Sequence, residues 1–220
     1  QAGNSQISTN INPDDDAYTI YEKVCNDIYL SLEKTKSSLD RESLSLAADK
    51  ICKANKIEVT DEALRKGAEE GMDGFLKVFI DRYLEVTGGE INSETMPLLN
   101  GHQHSLLGYH FFREEVNEGG FVQLIQNGYG PYIFDNPFAK AMRLFGLKEF
   151  SKLIYAAKKI YDENKQDLEK ERDDDEFMAM YEQYEAFDDL EEQFMDMEEY
   201  VTAKLAEYVD EHLDFFAEII

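Results

Sequence analysis

Residues 100–128 read NGHQHSLLGYHFFREEVNEGGFVQLIQNG, and this stretch sets the fold class. Asn100 is a residue type that caps a helix, because its side-chain oxygen can accept an orphan backbone N–H of the first turn. Leu106, Leu107, Phe111, Phe112 and Val116 then recur at steps that place them on one inward stripe. The stripe stops at Asn117-Glu118-Gly119-Gly120. A glycine past a helix end takes the left-handed conformation without a side-chain penalty, and a second one lets the chain reverse tightly. Phe121, Leu124 and Ile125 open a short helix that closes at Asn127-Gly128. Two helices meeting at a glycine corner are thus expected here.

The same grammar extends outward. Tyr129–Asp135 (YGPYIFD) reads as an aromatic loop, and Asn136-Pro137 as a cap followed by proline at the first helical position. The helix beyond holds Ala141, Met142, Leu144 and Phe145 and ends at Gly146, and the next carries Phe150, Leu153, Ile154, Ala157 and Ile160. From Phe177 the apolar residues Tyr181, Tyr184, Phe187, Leu190, Phe194, Met197, Val201, Leu205 and Tyr208 follow at steps of three or four. That is an amphipathic helix, or two with a break near Asp188-Asp189. Upstream, Phe75, Phe79, Ile80, Tyr83 and Leu84 mark a helix ended by Gly88-Gly89, while Gly67, Gly71 and Gly74 leave residues 57–74 ambiguous. Asp14–Asp16 precede Ile20, Val24, Ile28 and Leu32, one helical stripe; Asp40 can cap a helix with Leu44, Ala48, Ile51 and Cys52. No convincing strand periodicity appears. The expected architecture is an all-α, multi-helix bundle with short glycine-punctuated turns and a long acidic C-terminal helical segment. Its parts are a flexible lead-in over 1–13, an N-terminal helical segment over 14–74, and a main helical domain over 75–220.

The 220 residues carry 47 acidic and 22 basic side chains, a formal charge of −25. The 43% hydrophobic content supports a packed core, so this is not a disordered acidic tail. Proteins that hold nucleic acid neutralise phosphate with clustered Lys and Arg, which argues against direct nucleic-acid binding. An anionic membrane surface would repel the chain for the same reason. The charge is also segregated: residues 173–220 hold 18 acids and one base, Lys204, and Asp173–Glu199 hold 13 acids and no base in 27 residues. As continuous helix that stretch is ~40 Å long, about one charge per 3 Å of axis. One strand of B-DNA carries a phosphate every ~3.4 Å. A solvated face of an ordinary helix is the plain reading. Against it, the i,i+4 basic partners that stabilise exposed helices are missing from this stretch.

Signatures of catalysis are sparse. No phosphate-cradling glycine loop, zinc-protease helix or serine-hydrolase elbow occurs. His110 and Glu114 stand i,i+4 on one helix, a spacing that can hold a metal, but no third ligand is indicated. Asp14–Asp16 and Asp173–Asp175 lack the order of a calcium loop and read as caps and solvated turns. Glu114, Glu115 and Glu118 could supply an acid/base pair, without sign of a pocket. No catalytic residue, metal or cofactor is therefore expected. Cys25 and Cys52 are read as small buried apolar residues rather than a bridge. The chain opens on Gln1, so it has been processed or trimmed, which leaves export open beside a cytoplasmic location.

Glu115-Val116-Asn117-Glu118-Gly119-Gly120-Phe121 resembles the E-V-N-N-G-G-F signature of the DNA mimic protein 19-like family, also called domain of unknown function 4375. The downstream layout is similar too: Gly146, Ala156-Ala157, the acidic Phe187-Asp188-Asp189-Leu190 segment and Tyr208–Phe216. The resemblance covers roughly residues 75–220, with one departure, Glu118 in place of the second Asn. It implies an all-helical acidic protein whose carboxylates occupy the DNA-binding face of a regulatory protein. It also implies that Glu115, Val116, Asn117, Gly119, Gly120 and Phe121 specify a structural corner, with Phe121 anchored in the core.

The reading adopted from these observations is an acidic interaction protein that binds a basic DNA-binding or nucleoid-type protein. Its contacts would be Asp173, Asp174, Asp175, Glu176, Glu182, Glu185, Asp188, Asp189, Glu191, Glu192, Asp196, Glu198 and Glu199. A homodimer would be supported by apolar residues left over on the terminal helix. The alternatives are a ligand or enzymatic site built from the loop Tyr129–Phe138 with Glu114 or His110, and a helical accessory domain whose acidity serves solubility only.

Overall fold

The computed structural model describes residues 57–220, which belong to a compact unit spanning Asn55–Ile220. The expectations for the lead-in, the helices over Ile20–Leu32 and after Asp40, and both cysteines lie outside the described residues. Within the described residues the fold is all-α. Nine helices are joined by short turns, with one pair of two-residue strands.

Strand β1 (Glu58–Val59) leads into α1 (Asp61–Glu69), capped by Thr60, whose hydroxyl accepts from the Ala63 N–H at 3.1 Å. Helix α2 (Gly71–Thr87) turns back along α1. Of the glycines that make residues 57–74 ambiguous in sequence, Gly67 and Gly74 have a packing reason. A Cβ on Gly67 would lie 2.6 Å from Val78 Cγ2 and 2.7 Å from the Gly74 carbonyl oxygen. Two helical backbones approach this closely only when side chains are absent. Residues 57–74 lie within the unit Asn55–Ile220, where α1 packs on α2.

Helix α3 (Gly101–Gln126) is the central element. Asn100 and Gln103 form a reciprocal capping box, as the sequence predicts for Asn100. The helix bends at Gly119 (φ −154°, ψ 26°) and Gly120 (φ 70°, ψ −169°), the expected corner. Phe112, fully buried, meets Phe121, Phe150 and Phe194 edge-on at centroid distances of 5.6, 5.2 and 4.9 Å. These rings come from both sides of the corner and from two later helices, so one aromatic cluster ties the bundle together. Burial of each ring stabilises by roughly 1.5–3 kcal/mol.

The aromatic segment after Gly128 is not a loop. Gly130–Phe134 forms the short helix α4, with Tyr132, Ile133 and Phe134 buried. Asn136 does not cap the helix that follows. Its amide instead donates to the carbonyls of Pro131 (3.3 Å) and Tyr132 (3.2 Å), closing α4, while Pro137 occupies the N-cap of α5 (Phe138–Leu144). With its amide turned back onto α4, the Asn136 side chain accepts no N–H from the first turn of α5. Helix α6 (Lys148–Leu168) packs Phe150, Leu153, Ile154, Ala157 and Tyr161 inward.

The terminal segment is two helices, α7 (Asp174–Gln183) and α8 (Asp188–Glu211), separated by a 3-10 turn over Glu185–Phe187. A short helix α9 (Leu213–Phe216) and strand β2 (Glu218–Ile219) complete the chain. β2 pairs in parallel with β1, a ladder too short to leave a periodic signal in sequence. The Phe216 carbonyl accepts from Tyr83 Oη (2.9 Å) and Gln103 Nε2 (3.0 Å), which fixes α9 to α2 and α3.

Candidate protein-interaction face

Each acidic helix is built by local rules. Asp173 caps α7, its Oδ1 accepting from the Glu176 N–H at 2.9 Å, and Asp174, Asp175 and Glu176 fill the first turn, where carboxylates suit the helix dipole. Asp188 and Asp189 likewise fill the first turn of α8, where they suit the helix dipole, although no side chain caps that helix. Phe194, Val201, Leu205 and Val209 hold the inner stripe of α8 against the body. Asp189, Glu192, Asp196 and Glu199 follow one another at steps of three and four on the opposite, exposed side. They span about 15 Å of axis, roughly one charge per 5 Å along that row.

Of the thirteen candidate carboxylates, eleven are exposed. Asp174, Asp175, Glu176, Glu182, Glu185, Asp188, Asp189, Glu192, Asp196 and Glu199 form no ion pair among the described residues. The one base of the segment, Lys204, pairs with Glu207 further along α8. Exposed Met195, Tyr200 and Met178 stand among these acids on α8 and α7.

Two candidates are turned inward instead. Glu198 pairs with Arg113 Nε of α3, and the same guanidinium reaches Asp73 of α2 through Nη1. Glu191 is half-buried, and its Oε1 accepts the Phe121 N–H at 2.7 Å. Burial pushes the Glu191 carboxyl above its ordinary value, the Phe121 N–H works against that shift, and the charge of Asp188 adds to it. A stretch without bases in sequence thus receives a partner from 85 positions away, which no local pattern reveals.

The corner motif is a set of contacts. Val116, Gly120 and Phe121 are buried, and the Phe121 ring stacks on Phe187 at 5.1 Å. Glu115 accepts from Gln123 Nε2 (3.0 Å) and Asn127 Nδ2 (2.8 Å), stapling the two halves of α3. Glu118, the departure from the signature, accepts from Gln123 at 3.1 Å. Asn117 stays exposed, on the rim of the groove between α2 and α3.

The residues of the alternative ligand site do not converge. His110 and Glu114 line that same groove, facing Lys77 and Asp81. Burial lowers the affinity of His110 for a proton, with Glu114 pulling the other way. Tyr129 and Tyr132 border a different depression with Ile91 and Met96. Tyr129 stacks on Phe111 at 4.5 Å, and Phe138 is buried in the core. Among the described residues no three His, Cys, Asp or Glu side chains gather as a metal-ligand group, and no helix is long and apolar enough to cross a membrane.

These features define a class: an all-α protein whose final long helices carry a dense, largely unpaired array of outward carboxylates. The chain belongs to the DMP19-like protein family, whose model matches residues 97–212. It is 31% identical over 145 residues to the DNA mimic protein DMP19 of Neisseria meningitidis serogroup B (strain ATCC BAA-335 / MC58), a match that covers 66% of this chain and 87% of that protein.

Proposed function

We propose that this protein occupies the DNA-binding face of a basic protein, presenting the outward carboxylates of α7 and α8 in place of phosphates. The observation that carries the reading is the exposed row Asp189, Glu192, Asp196 and Glu199, free of Lys or Arg partners among the described residues and set on the rigid back of a helix buried through Phe194 and Val201. Unpaired like charges cost the fold stability, so their retention on one side favours an external counter-charge over simple solvation. The name of the Neisseria relative supports the same direction. Association through such a face is fast, electrostatically steered and weakened by salt.

The test is capture from a native lysate by the immobilised chain, at low and high salt, beside a version with Glu192, Asp196 and Glu199 changed to Gln or Asn. The expected result is a basic DNA-binding protein that is lost with salt and with the neutralised face. Capture of the same proteins by the neutralised face would overturn the proposal, as would recovery of no basic protein.

A further inference from the structure

The corner at Gly119–Gly120 and the acidic helices are joined by two hydrogen bonds that span the fold. The bend interrupts the regular ladder of α3, so the N–H of Phe121 begins a new helical segment and needs an acceptor from elsewhere. Glu191 Oε1 of α8 supplies it at 2.7 Å. On the other side of the bend, Tyr181 Oη of α7 donates to the Gly119 carbonyl at 3.0 Å. Gly120 makes room for this arrangement. An added Cβ there would lie 2.6 Å from Glu191 Cδ, and the residue's φ of +70° already disfavours a side chain.

We infer that Glu191 and Tyr181 are positioning residues: together they clamp the glycine corner and fix how α7 and α8, with their outward carboxylates, dock on the bundle. Glu191 therefore differs in kind from its neighbours Glu192 and Asp188. It lies in the acidic run, yet its carboxyl is half-buried and engaged by a backbone N–H, while theirs face solvent. A half-buried carboxylate is tolerated because it is hydrogen-bonded, and burial raises its proton affinity in keeping with that environment. The role needs an acceptor oxygen at that place, not a negative charge, so glutamine can fill it. The clamp stands on geometry alone; its consequence for a partner rests on the proposed DNA-mimic reading.

The experiment is backbone amide hydrogen exchange on the full chain, comparing wild type with Glu191→Gln, Glu191→Ala, Tyr181→Phe and Glu192→Gln. Expected is slow exchange of the Phe121 amide in wild type, Glu191→Gln and Glu192→Gln, and at least tenfold faster exchange in Glu191→Ala. Tyr181→Phe and Glu191→Ala also speed exchange in α7 by a comparable factor. In the lysate capture, Glu191→Gln behaves as wild type while Glu192→Gln weakens recovery. Equal Phe121 exchange in the Gln and Ala variants, or no change in either, overturns the clamp. Loss of capture by Glu191→Gln as large as by Glu192→Gln overturns its assignment as a positioning residue. Should wild type capture no basic protein, the exchange rates still decide the clamp, so the two readings fail separately.

Discussion

Neutralising the outer row of α8 is expected to make the protein more stable and less able to bind. The perturbation is the triple change Glu192→Gln, Asp196→Asn and Glu199→Gln, all at exposed positions on the side away from Phe194. It removes the like-charge neighbours Asp188–Glu192, Asp189–Glu192, Glu192–Asp196 and Asp196–Glu199, each three or four residues apart on the helix. Each such pair costs roughly 0.2–0.5 kcal/mol, so the variant gains about 1–2 kcal/mol at low ionic strength. For a chain of this size that is a rise in Tm of about 2–8 °C. Asp188 and Asp189 are kept, because at the start of α8 they favour the helix dipole. Thermal melts followed by circular dichroism at low and high salt read the effect, and screening shrinks the difference as salt rises. A fall in Tm at low salt would refute the reasoning, since it would mean that these carboxylates are already compensated within the fold.

Three other outcomes follow from the packing and the titrating groups. Phe121→Ala removes the ring that joins Phe112 and Phe187 across the corner, and costs about 3–5 kcal/mol in urea unfolding; a loss below about 1 kcal/mol would contradict its anchoring role. Tyr83→Phe deletes a buried hydroxyl but leaves the Phe216 carbonyl its bond from Gln103, so the same assay should show a modest loss of about 0.5–1.5 kcal/mol. His104 sits between Tyr132 Oη and the Met96 carbonyl, at 2.8 Å from each, and burial holds it below the ordinary imidazole value, as it does His110. The unfolded chain then binds protons that the folded one refuses. Stability is complete above pH of about 6.5 and falls as the pH drops from there towards the lower folded values. Unfolding free energies across that window should show this slope, and His104→Gln should reduce it.

Local chemistry made much of this fold legible. The Asn100 cap, the glycine corner and the stripe from Phe177 to Tyr208 each depend on residues within a few positions of one another, so sequence reading finds them. Non-local contacts were invisible. Glu191 and Glu198 look like their neighbours in a run of acids, and only the folded arrangement shows that one answers the Phe121 N–H and the other Arg113. Gly67 and Gly74 lower helix propensity, yet their purpose is the close approach of α1 and α2, which a propensity scale counts with the wrong sign. Asn136 has the composition of an N-cap but serves the carbonyls behind it. The β1–β2 pairing joins residues 160 positions apart over two residues each, below any periodic signal.

The central claim is that the outward acids of α7 and α8 take the place of a nucleic-acid backbone. It is tested most directly by mixing the captured basic protein with labelled duplex DNA and increasing amounts of this chain, then resolving the species by size. The account predicts two binary complexes that exchange with one another and no particle holding all three. A stable ternary complex, with DNA still bound beside the acidic helices, would contradict it.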